Sequence, residues 1–172
     1  MPVWNPIPIS ELNLSVNAWW KNGVLLTAGD FAAGQFNTMT IAWGAFGEMW
    51  SMPMAVVMVR PSRYTYQFME AHDTFTISAF PAGYQKALSL LGSRSGRDGD
   101  KIKAAGLTPT ALPGAAAPAF AEANLALTCQ KLHHMDLDPT SITAESISSH
   151  YAKGDYHRFY FGKILGAYQN AA

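Results

Sequence analysis

The stretch FNTMTIAWG, residues 36–44, alternates with the period of a β-strand, in which successive side chains point to opposite faces. One face carries bulky apolar side chains typical of a core: Met39, Ile41 and Trp43. The other face carries one aromatic ring, two hydroxyls and a methyl group: Phe36, Thr38, Thr40 and Ala42. A strand that covers a core normally carries bulk on that face as well. The sequence therefore predicts that something flat lies against this shallow, hydroxyl-lined face.

Five other segments have strand patterns. Four of them alternate apolar and polar residues: VLLTAG (24–29), TFTISAF (74–80), ANLALTCQKLHH (123–134) and HRFYFGKILGAYQ (157–169). The fifth segment, MAVVMVR (54–60), is continuously apolar, which is typical of a strand buried on both faces.

Three short segments have helical patterns. The first spans 62–72, with Ser62 as its predicted N-cap. The second spans 84–92 and is predicted to end at Gly92, and the third spans 98–106. Because many strands and few helices follow no βαβ rhythm, the predicted fold is mainly β, an antiparallel barrel with helical insertions.

Bulk composition limits the classes of function. The 172 residues, 49% of them hydrophobic, are enough for one domain over 1–172, with the Pro-rich segment 107–120 as an extended connection. Twelve basic and twelve acidic residues leave no net charge to attract nucleic acid or an anionic membrane. Cys129 has no disulfide partner and MPVWNPIPIS has no signal-peptide pattern, so we expect a cytoplasmic location. Charged residues are 14%, which favours an obligate oligomer.

Several motifs with well-defined chemistry are absent from the sequence. It contains neither the G-x-G-x-x-G nor the G-x-x-x-x-G-K-[ST] pattern of nucleotide phosphate sites. No Cys or His cluster has zinc spacing, so no metal site is predicted.

The segment VRPSRYT (59–65) runs from a buried strand through a Pro turn into a helix. A helix N-terminus is a ready anion site, and the Arg60 guanidinium could bind a phosphate there with the Ser62 and Thr65 hydroxyls. On its own, the segment is more typical of plain helix capping with a solvated arginine. Under the anion-site hypothesis, Arg60→Ala should weaken phosphate binding strongly and Arg63→Ala should do little.

Two further segments carry polar groups that could serve a ligand. GSRSGRDGDK (92–101) contains Arg94, Arg97 and Lys101 among Ser and Gly, which is also typical of a flexible surface loop. DYHRFYFGKI (155–164) opens a strand with His157, which is either a core histidine or a donor beside a cofactor.

A flat aromatic ligand with a phosphate tail would use all of these features together. Flavin mononucleotide (FMN) has a planar isoalloxazine ring, a terminal phosphate and a ring edge that gains negative charge on reduction. We therefore expect FMN to lie against the strand at 36–44, with its phosphate near the Pro turn.

The motifs NTMTIAWG, RPSRYTYQFMEAHDTFTISAF, GSRSGRDGDKIKAAGLTP and DYHRFYFGKI follow one another in this chain. In this order the chain resembles the flavin reductase-like, FMN-binding split-barrel family, and within it the flavoredoxin-type branch. The resemblance covers approximately residues 37–164. It implies a homodimer of antiparallel Greek-key split β-barrels, with non-covalent FMN near the subunit interface. The N-terminal stretch, with Trp4, Trp19 and Trp20, lies outside the resemblance.

The resemblance also implies roles for individual residues. The strand that contacts the isoalloxazine corresponds to Asn37, Thr38, Met39, Thr40 and Trp43. The phosphate-binding turn corresponds to Arg60, Ser62 and Thr65. The loop that closes over the flavin corresponds to the segment from Ser95 to Lys101, with Lys101 beside the ring or the phosphate. His157 corresponds to a histidine near the place where nicotinamide stacks, and is the candidate catalytic residue.

The function predicted from these features is hydride transfer from NAD(P)H to flavin, followed by electron transfer to an acceptor that the sequence does not name. One alternative is a flavoredoxin-type electron carrier with no nicotinamide site. Another is a β-barrel module that binds a different anion through the Pro turn. A role like that of pyridoxamine-phosphate oxidase rests on barrel architecture alone.

Overall fold

The computed structural model describes residues 4–13 and 23–170. Trp19 and Trp20, two of the three N-terminal tryptophans outside the family resemblance, lie outside the described residues.

The described residues form ten strands and four helices. The strands are β1 Trp4–Ile7, β2 Val24–Asp30, β3 Gln35–Ile41, β4 Gly44–Met49, β5 Met52–Val59, β6 Thr74–Ala79, β7 Pro109–Thr110, β8 Ala119–Phe120, β9 Leu125–Asp136 and β10 Arg158–Asn170. The helices are α1 Tyr64–Ala71, α2 Gln85–Ser93, α3 Lys101–Ala104 and α4 Glu145–Ser148. Short 3₁₀ turns lie at Ile9–Glu11, Gly96–Asp98, Pro139–Ser141 and Ser149–Tyr151.

Eight strands form one antiparallel sheet in the order β3-β2-β6-β9-β10-β5-β4, with β1 also paired to β10. Strands β7 and β8 form a separate antiparallel pair. The sheet curls around one core, because Met39 from β3 and Val57 from β5 pack in the same apolar cluster although they lie near opposite ends of the sheet. The prediction of a mainly β antiparallel barrel with short helices is confirmed.

The two faces of the sheet are covered by different layers. Alternate residues of β2 enter the barrel core, as shown by Leu26, whereas Leu25 points outward and packs with Leu88 and Leu91 of α2. Both leucines of β2 are fully buried. Helix α2 also packs on β3, where Thr40 Oγ1 donates a hydrogen bond to the Leu88 carbonyl at 2.5 Å. With both faces covered, β3 has only its outer edge left to meet a ligand.

Some element predictions were wrong. The turn signals around Gly44 and Pro53 hid strand β4, which pairs with β5 along its whole length. Gly92 lies inside α2, which continues to Ser93. A Cβ atom at Gly92 would lie 3.3 Å from Thr40 Cβ, so this glycine serves close helix–strand packing and not helix termination.

Candidate functional site

Three adjoining cavities follow β3. The Trp43 cavity, about 260 Å³, lies at the end of the strand and is lined by residues that include Ile41, Trp43, Met58 and His157. The arginine cavity, about 180 Å³, lies beside the middle of the strand and is lined by residues that include Arg63, Arg94, Arg97 and Lys101. The Phe36 cavity, about 510 Å³, lies at the start of the strand and is lined by residues that include Phe36, Tyr64, Gln67 and Phe68.

Shared walls join the three cavities into one trough. Met39 and Arg63 line both the Trp43 cavity and the arginine cavity. Asn37 and Lys101 line both the arginine cavity and the Phe36 cavity. Since β3 ends the sheet, one row of its backbone N–H and C=O groups has no strand neighbour among the described residues. These backbone groups are available to the heteroatoms of a ligand that lies in the trough.

The arginine cavity is strongly cationic. Among the described residues that line it there are four basic side chains and no acidic one. Arg63 donates from Nη1 to the Gly92 carbonyl at 3.1 Å, and Arg97 donates from Nη1 to the Ser62 carbonyl at 3.3 Å. These bonds hold both guanidinium groups against the cavity. Its chemistry suits a phosphate.

Helix α1 adds backbone donors to the same cavity. Its N-cap residue, Arg63, makes no side-chain capping bond, and Tyr64 and Thr65 of the first turn line the cavity. The first N–H groups of a helix have no partner within the helix, and its N-terminus carries a partial positive charge. An anion in the arginine cavity would therefore meet fixed backbone dipoles as well as charged side chains.

Lys101 lies between the arginine cavity and the Phe36 cavity. It is 5% exposed, and its Nζ donates to the carbonyls of Leu91 and Arg94 at 3.1 and 3.0 Å. Burial, and then the positive charge of Arg63, lower the pKa of Lys101 to about 8. The ammonium is therefore fixed in place and titrates within a few units of neutral pH.

Asn37 and Thr65 are buried at the junction of the trough. The Asn37 amide donates from Nδ2 to Thr65 Oγ1 at 2.8 Å. Gly96 closes on this pair, because a Cβ atom there would lie 2.3 Å from Asn37 Oδ1. Thr65, which the resemblance places in the phosphate-binding turn, lines the arginine cavity, but its hydroxyl oxygen already accepts a bond from Asn37.

Ser62 and Arg60, which the resemblance places in the phosphate-binding turn, both hydrogen-bond to the connection that leads into β10. The Ser62 backbone N–H and hydroxyl donate to the two carboxylate oxygens of Asp155 at 3.1 and 2.5 Å. Arg60 donates to the carbonyls of Asp155 and His150 at 3.2 and 2.9 Å. The prediction that Ser62 is the N-cap of α1 was therefore wrong. The N-cap is Arg63, and Asp155 holds Ser62 outside the helix. Ser62 and Arg60 both anchor residues 137–157, the connection from β9 to β10, called the strap below.

The hydroxyl-lined face predicted for β3 is not an open surface. Thr38 is fully buried, where it accepts a hydrogen bond from Thr27 at 2.9 Å and donates one to the Leu26 carbonyl at 3.1 Å. Thr40 lies under α2. Met39 and Ile41, on the other face, are buried in the barrel core as the alternation predicted, and both also line the Trp43 cavity. Period two identifies the two faces of a strand, but it does not show which face a helix will cover.

His157 lies at the far end of the Trp43 cavity. Its ring centroid is 5.2 Å from that of Trp43, and its Nδ1 is 2.7 Å from the Tyr151 hydroxyl oxygen. Burial, reinforced by Arg60, lowers the pKa of His157 to about 4, so the ring is neutral at neutral pH. The Arg60 guanidinium lies 5.0 Å from the Tyr151 ring centroid.

The hydrogen bond to Tyr151 fixes the tautomer of His157. A buried phenol that lacks an acceptor is costly, and among the described residues Nδ1 of His157 is the acceptor within reach of the Tyr151 hydroxyl. We therefore assign the hydroxyl as the donor, which leaves the proton of the neutral imidazole on Nε2. His157 then offers the Trp43 cavity a neutral N–H donor.

Sequence reasoning missed three residues of this site. Arg63→Ala was expected to have little effect, but Arg63 lines two cavities. Tyr151 lies in the strap outside every motif quoted above, and Asp155 opens the motif DYHRFYFGKI (155–164) but was given no role there. The position of Asp155 between Gly154 and His157 hints at a turn beside the candidate site. Its contact with Ser62 depends on a left-handed φ of 58°, and the sequence does not predict that conformation at a residue other than glycine.

Other kinds of site are not found in the described residues. No group of three or more His, Cys, Asp or Glu side chains in residues 4–13 and 23–170 is placed to hold a metal ion. None of the helices described is long and apolar enough to cross a lipid bilayer.

Solved structures with the same fold contain this arrangement of strands. An FMN-binding domain of a flavin reductases-like enzyme from Shewanella baltica aligns with a TM-score of 0.70 and 18% identity, over 98% of this chain and 78% of that one. A flavoredoxin from Methanosarcina acetivorans aligns with a TM-score of 0.68 and 23% identity, over 87% and 69% of the two chains. An NADH:FAD oxidoreductase from Streptomyces globisporus aligns with a TM-score of 0.63 and 21% identity, over 86% and 75%.

These likenesses confirm the split-barrel fold that the resemblance implied. A search among curated protein sequences gave no match. The family model described as the flavin reductase like domain matches residues 21–171, which is most of the chain and all of the trough along β3. The chain therefore belongs to the flavin reductase-like domain family.

Proposed function

We propose that this chain binds FMN non-covalently and transfers electrons as a flavin reductase-like oxidoreductase, from NAD(P)H through the flavin to an acceptor. One observation carries the proposal. The Trp43 cavity has aromatic and aliphatic walls beside the polar groups of Arg60 and His157, and it shares Met39 and Arg63 with the arginine cavity. A cavity with aromatic and aliphatic walls that adjoins a strongly cationic one fits a flavin ring joined to a phosphate.

The phosphate fits the arginine cavity. Arg63 and Lys101 would neutralise its charge, and the first N–H groups of α1 would bind its oxygens. Ser95 also lines this cavity, and its Oγ already accepts a hydrogen bond from the backbone of Arg97 at 3.2 Å. The Asp155 carboxylate accepts two hydrogen bonds from Ser62 at the edge of the same turn, which supports an anion-binding role for the turn.

The isoalloxazine fits the Trp43 cavity. Met39, Ile41 and Met58 would contact its faces, and the free backbone edge of β3 from Asn37 to Ile41 would hydrogen-bond its heteroatoms. Thr38 and Thr40 would contribute through their backbone, since their hydroxyls are bonded to other parts of the protein. FMN would supply the redox chemistry, which no amino-acid side chain provides.

His157 is the proposed catalytic residue. Its Nε2–H would donate to a carbonyl or anionic oxygen at the edge of a ring in the Trp43 cavity, and would stabilise negative charge there. Because the imidazole is neutral, it would not repel the positive nicotinamide ring of an oxidised donor. Trp43 would hold that ring beside His157 and exclude water from the place where hydride is transferred.

A second copy of this chain is the proposed partner. Large apolar side chains are exposed on β9, on β10, at the end of β4 and in the turn after it: Trp50 60%, Met135 50%, Leu132 43%, Leu165 40% and Met49 38%. The Trp50 ring lies 6.2 Å from that of Phe161 and 6.4 Å from that of His133, so this exposed tryptophan lies beside β9 and β10. Exposed apolar side chains of this size are typical of homodimer interfaces. Light scattering should show a dimer for the native chain and a monomer for Trp50→Glu.

An absorbance titration tests the proposed activity. Added FMN should give a shifted flavin band on binding, and anaerobic NADH or NADPH should then bleach that band. Binding without bleaching by either nucleotide would refute hydride transfer but retain the flavin site. If no flavin binds at high concentration, the assignment of FMN is wrong.

A flavoredoxin-type electron carrier is the second candidate function. One observation favours it: the Trp43 cavity, about 260 Å³, is slightly smaller than the range of about 300–1,000 Å³ typical of ligand pockets. A cavity of this size accommodates one ring more easily than two stacked rings. Bleaching by dithionite but by neither nicotinamide nucleotide would identify the carrier.

A further inference from the structure

The end of the strap forms a tight turn before it enters β10. The Gly154 backbone N–H donates to the Tyr151 carbonyl at 2.9 Å, which closes the turn. Gly154 and Asp155 both have left-handed backbone conformations, with φ values of 74° and 58°. Because Tyr151 hydrogen-bonds to His157 across this turn, the position of the imidazole depends on the shape of the turn.

Arg60 and Ser62, which follow β5, hold the turn against the barrel. The Arg60 guanidinium donates to the carbonyls of His150 and Asp155, one at each end of the turn, and it also lies over the Tyr151 ring. The backbone N–H and the hydroxyl of Ser62 are both bonded to the Asp155 carboxylate. A hydrogen bond from a hydroxyl to a carboxylate is about twice as strong as one between neutral groups. The turn is therefore tied to the barrel through its backbone and through a charged side chain.

Asp155 occupies a position where most residues would be strained. A residue other than glycine rarely adopts a left-handed φ, although Asp and Asn do so more readily than the rest. Strain of this kind persists where surrounding contacts hold the residue, and it is concentrated at functional sites. At Asp155 these contacts are the bonds from Ser62 to its carboxylate and from Arg60 to its carbonyl. The carboxylate therefore stabilises the conformation that leads the chain into His157.

The closed turn buries His157 at the end of the Trp43 cavity. Tyr151 and His157 are 5% and 8% exposed. The Trp43 ring packs against the rings of both His157 and His150, at centroid distances of 5.2 and 4.9 Å. The turn thus holds the imidazole donor and its neighbours at the place where the proposed function puts hydride transfer.

We propose that Asp155 is a positioning residue for hydride transfer, which acts through Ser62 to keep the strap closed on His157. The inference rests on the proposed function, because it takes His157 as the catalytic residue. Asp155 lines none of the three cavities, so it acts through the strap and not by contact with a bound ring. With the strap closed, the imidazole stays buried and its Nε2–H stays directed into the Trp43 cavity.

Asp155→Asn tests the proposal, with Asp138→Asn as the matched control. Asparagine tolerates the left-handed φ, so this variant removes the charged acceptor without adding backbone strain. Asp138 lies in the same strap, and its carboxylate accepts bonds from Thr140 and Ser141 within its own turn. The control therefore makes the same chemical change without touching the bonds between the strap and the barrel.

The pKa of His157, measured by NMR of the flavin-free protein, reports whether the strap is closed. Burial, and then the positive charge of Arg60, lower this pKa to about 4 in the native protein, so the ring should titrate little above about pH 5. In Asp155→Asn the strap should loosen and admit water, and the pKa of His157 should rise toward its ordinary value of 6.5. In Asp138→Asn this pKa should remain at about 4.

The direction of the pKa shift separates positioning from two other effects. The negative charge of Asp155 raises the pKa of His157, so loss of that charge alone would lower the pKa further. A contribution to stability alone would leave the pKa of His157 in the folded protein unchanged. Ser62→Ala removes one bond to the carboxylate and no charge, and it should raise the same pKa. This second variant keeps the proposal testable if Asp155→Asn does not fold.

Bleaching of bound FMN by the nicotinamide nucleotide measures the effect on the reaction. At saturating FMN, Asp155→Asn and Ser62→Ala should each lower kcat by about 10- to 100-fold, since displacement of a positioned group by about 1 Å can cost about 100-fold. Asp138→Asn should leave kcat unchanged, because its carboxylate bonds only within its own turn.

Two outcomes would overturn the proposal. In the first, the pKa of His157 stays at or below its native value in folded Asp155→Asn or Ser62→Ala protein. In the second, this pKa rises in both variants but kcat stays at the native value. Failure of the proposed function looks different, because neither nucleotide would then bleach native protein with flavin bound. The NMR titration needs no flavin, so it would still show whether Asp155 holds the strap on His157.

Discussion

Arg63→Met should weaken FMN binding and leave riboflavin binding unchanged, because riboflavin lacks the phosphate. A hydrogen bond that involves a charged group contributes about 1.5–3 kcal/mol, which corresponds to about 10- to 150-fold in Kd. Arg63 is exposed, and water screens its charge, so we expect the lower part of that range, about 10- to 30-fold. The existing bond to the Gly92 carbonyl holds the guanidinium in place and limits the entropy lost on binding.

Quenching of flavin fluorescence measures both affinities. Arg60→Met is the matched control, because Arg60 donates to carbonyl groups of the strap and not into the arginine cavity. Its loss should affect FMN and riboflavin alike. Equal losses of FMN and riboflavin affinity in Arg63→Met, or a loss of FMN affinity smaller than that in Arg60→Met, would refute the phosphate assignment.

Three other predictions concern a titration, a tautomer and the barrel wall. FMN affinity should fall as pH rises through about 8, because Lys101 then loses the charge that attracts phosphate. Lys101→Met should flatten this pH profile of FMN affinity. A profile that the substitution leaves unchanged would contradict the role of Lys101 at the phosphate. Tyr151→Phe should lower the population of the Nε2–H tautomer of His157 seen in ¹⁵N NMR shifts and slow bleaching by the nucleotide donor without changing FMN affinity. Thr76→Val should destabilise the fold by about 1–2 kcal/mol in urea unfolding, because Thr76 donates to the Pro118 carbonyl at 2.6 Å. Thr128→Val, by contrast, should be neutral or stabilising, since the Thr128 hydroxyl is buried with no hydrogen-bond partner among the described residues.

The dependence of folding stability on acid pH gives one more test, which concerns the lowered pKa of His157. A histidine whose folded pKa is lowered binds its proton more readily in the unfolded chain, so stability is lost as pH falls from about 6.5 through about 4. His157→Gln should remove that part of the pH dependence. Urea unfolding at pH 4.5 and pH 7 measures it, with His134→Gln on the exposed part of β9 as control.

Most of the sheet could be predicted because its strands carry strong local patterns. In β10, buried and partly exposed residues alternate from Phe159 to Ile164, and hydrophobic periodicity detects that contrast directly. Strands β2 and β6 are buried on both faces, and their apolar and β-branched residues identify them instead. Strand β4 could not be predicted, because its residues are mostly exposed and it is held by pairing with β5. Cross-strand pairing of this kind leaves little trace in the residues of the weaker strand.

The candidate site was predicted in its parts but not in its connections. The sequence indicated that the cationic residues of 92–101 could bind a ligand, and the structure brings Arg94, Arg97 and Lys101 to one cavity. Their joint position with Arg63 depends on how α2 packs against β3, which no local pattern shows. Likewise, the anchoring of Ser62 by Asp155 joins residues 93 positions apart, and such a contact is decided by the whole fold.

The free edge of β3 has a consequence for the amount of protein in a cell. Whatever fills the trough shields backbone groups that would otherwise be open to pairing with another chain. A ligand that binds only the folded state adds stability according to its concentration, about 2.7 kcal/mol when it is present at 100 times its Kd. The protein should therefore be protected from proteolysis in proportion to the supply of its cofactor, and its steady-state level should fall when that cofactor is scarce.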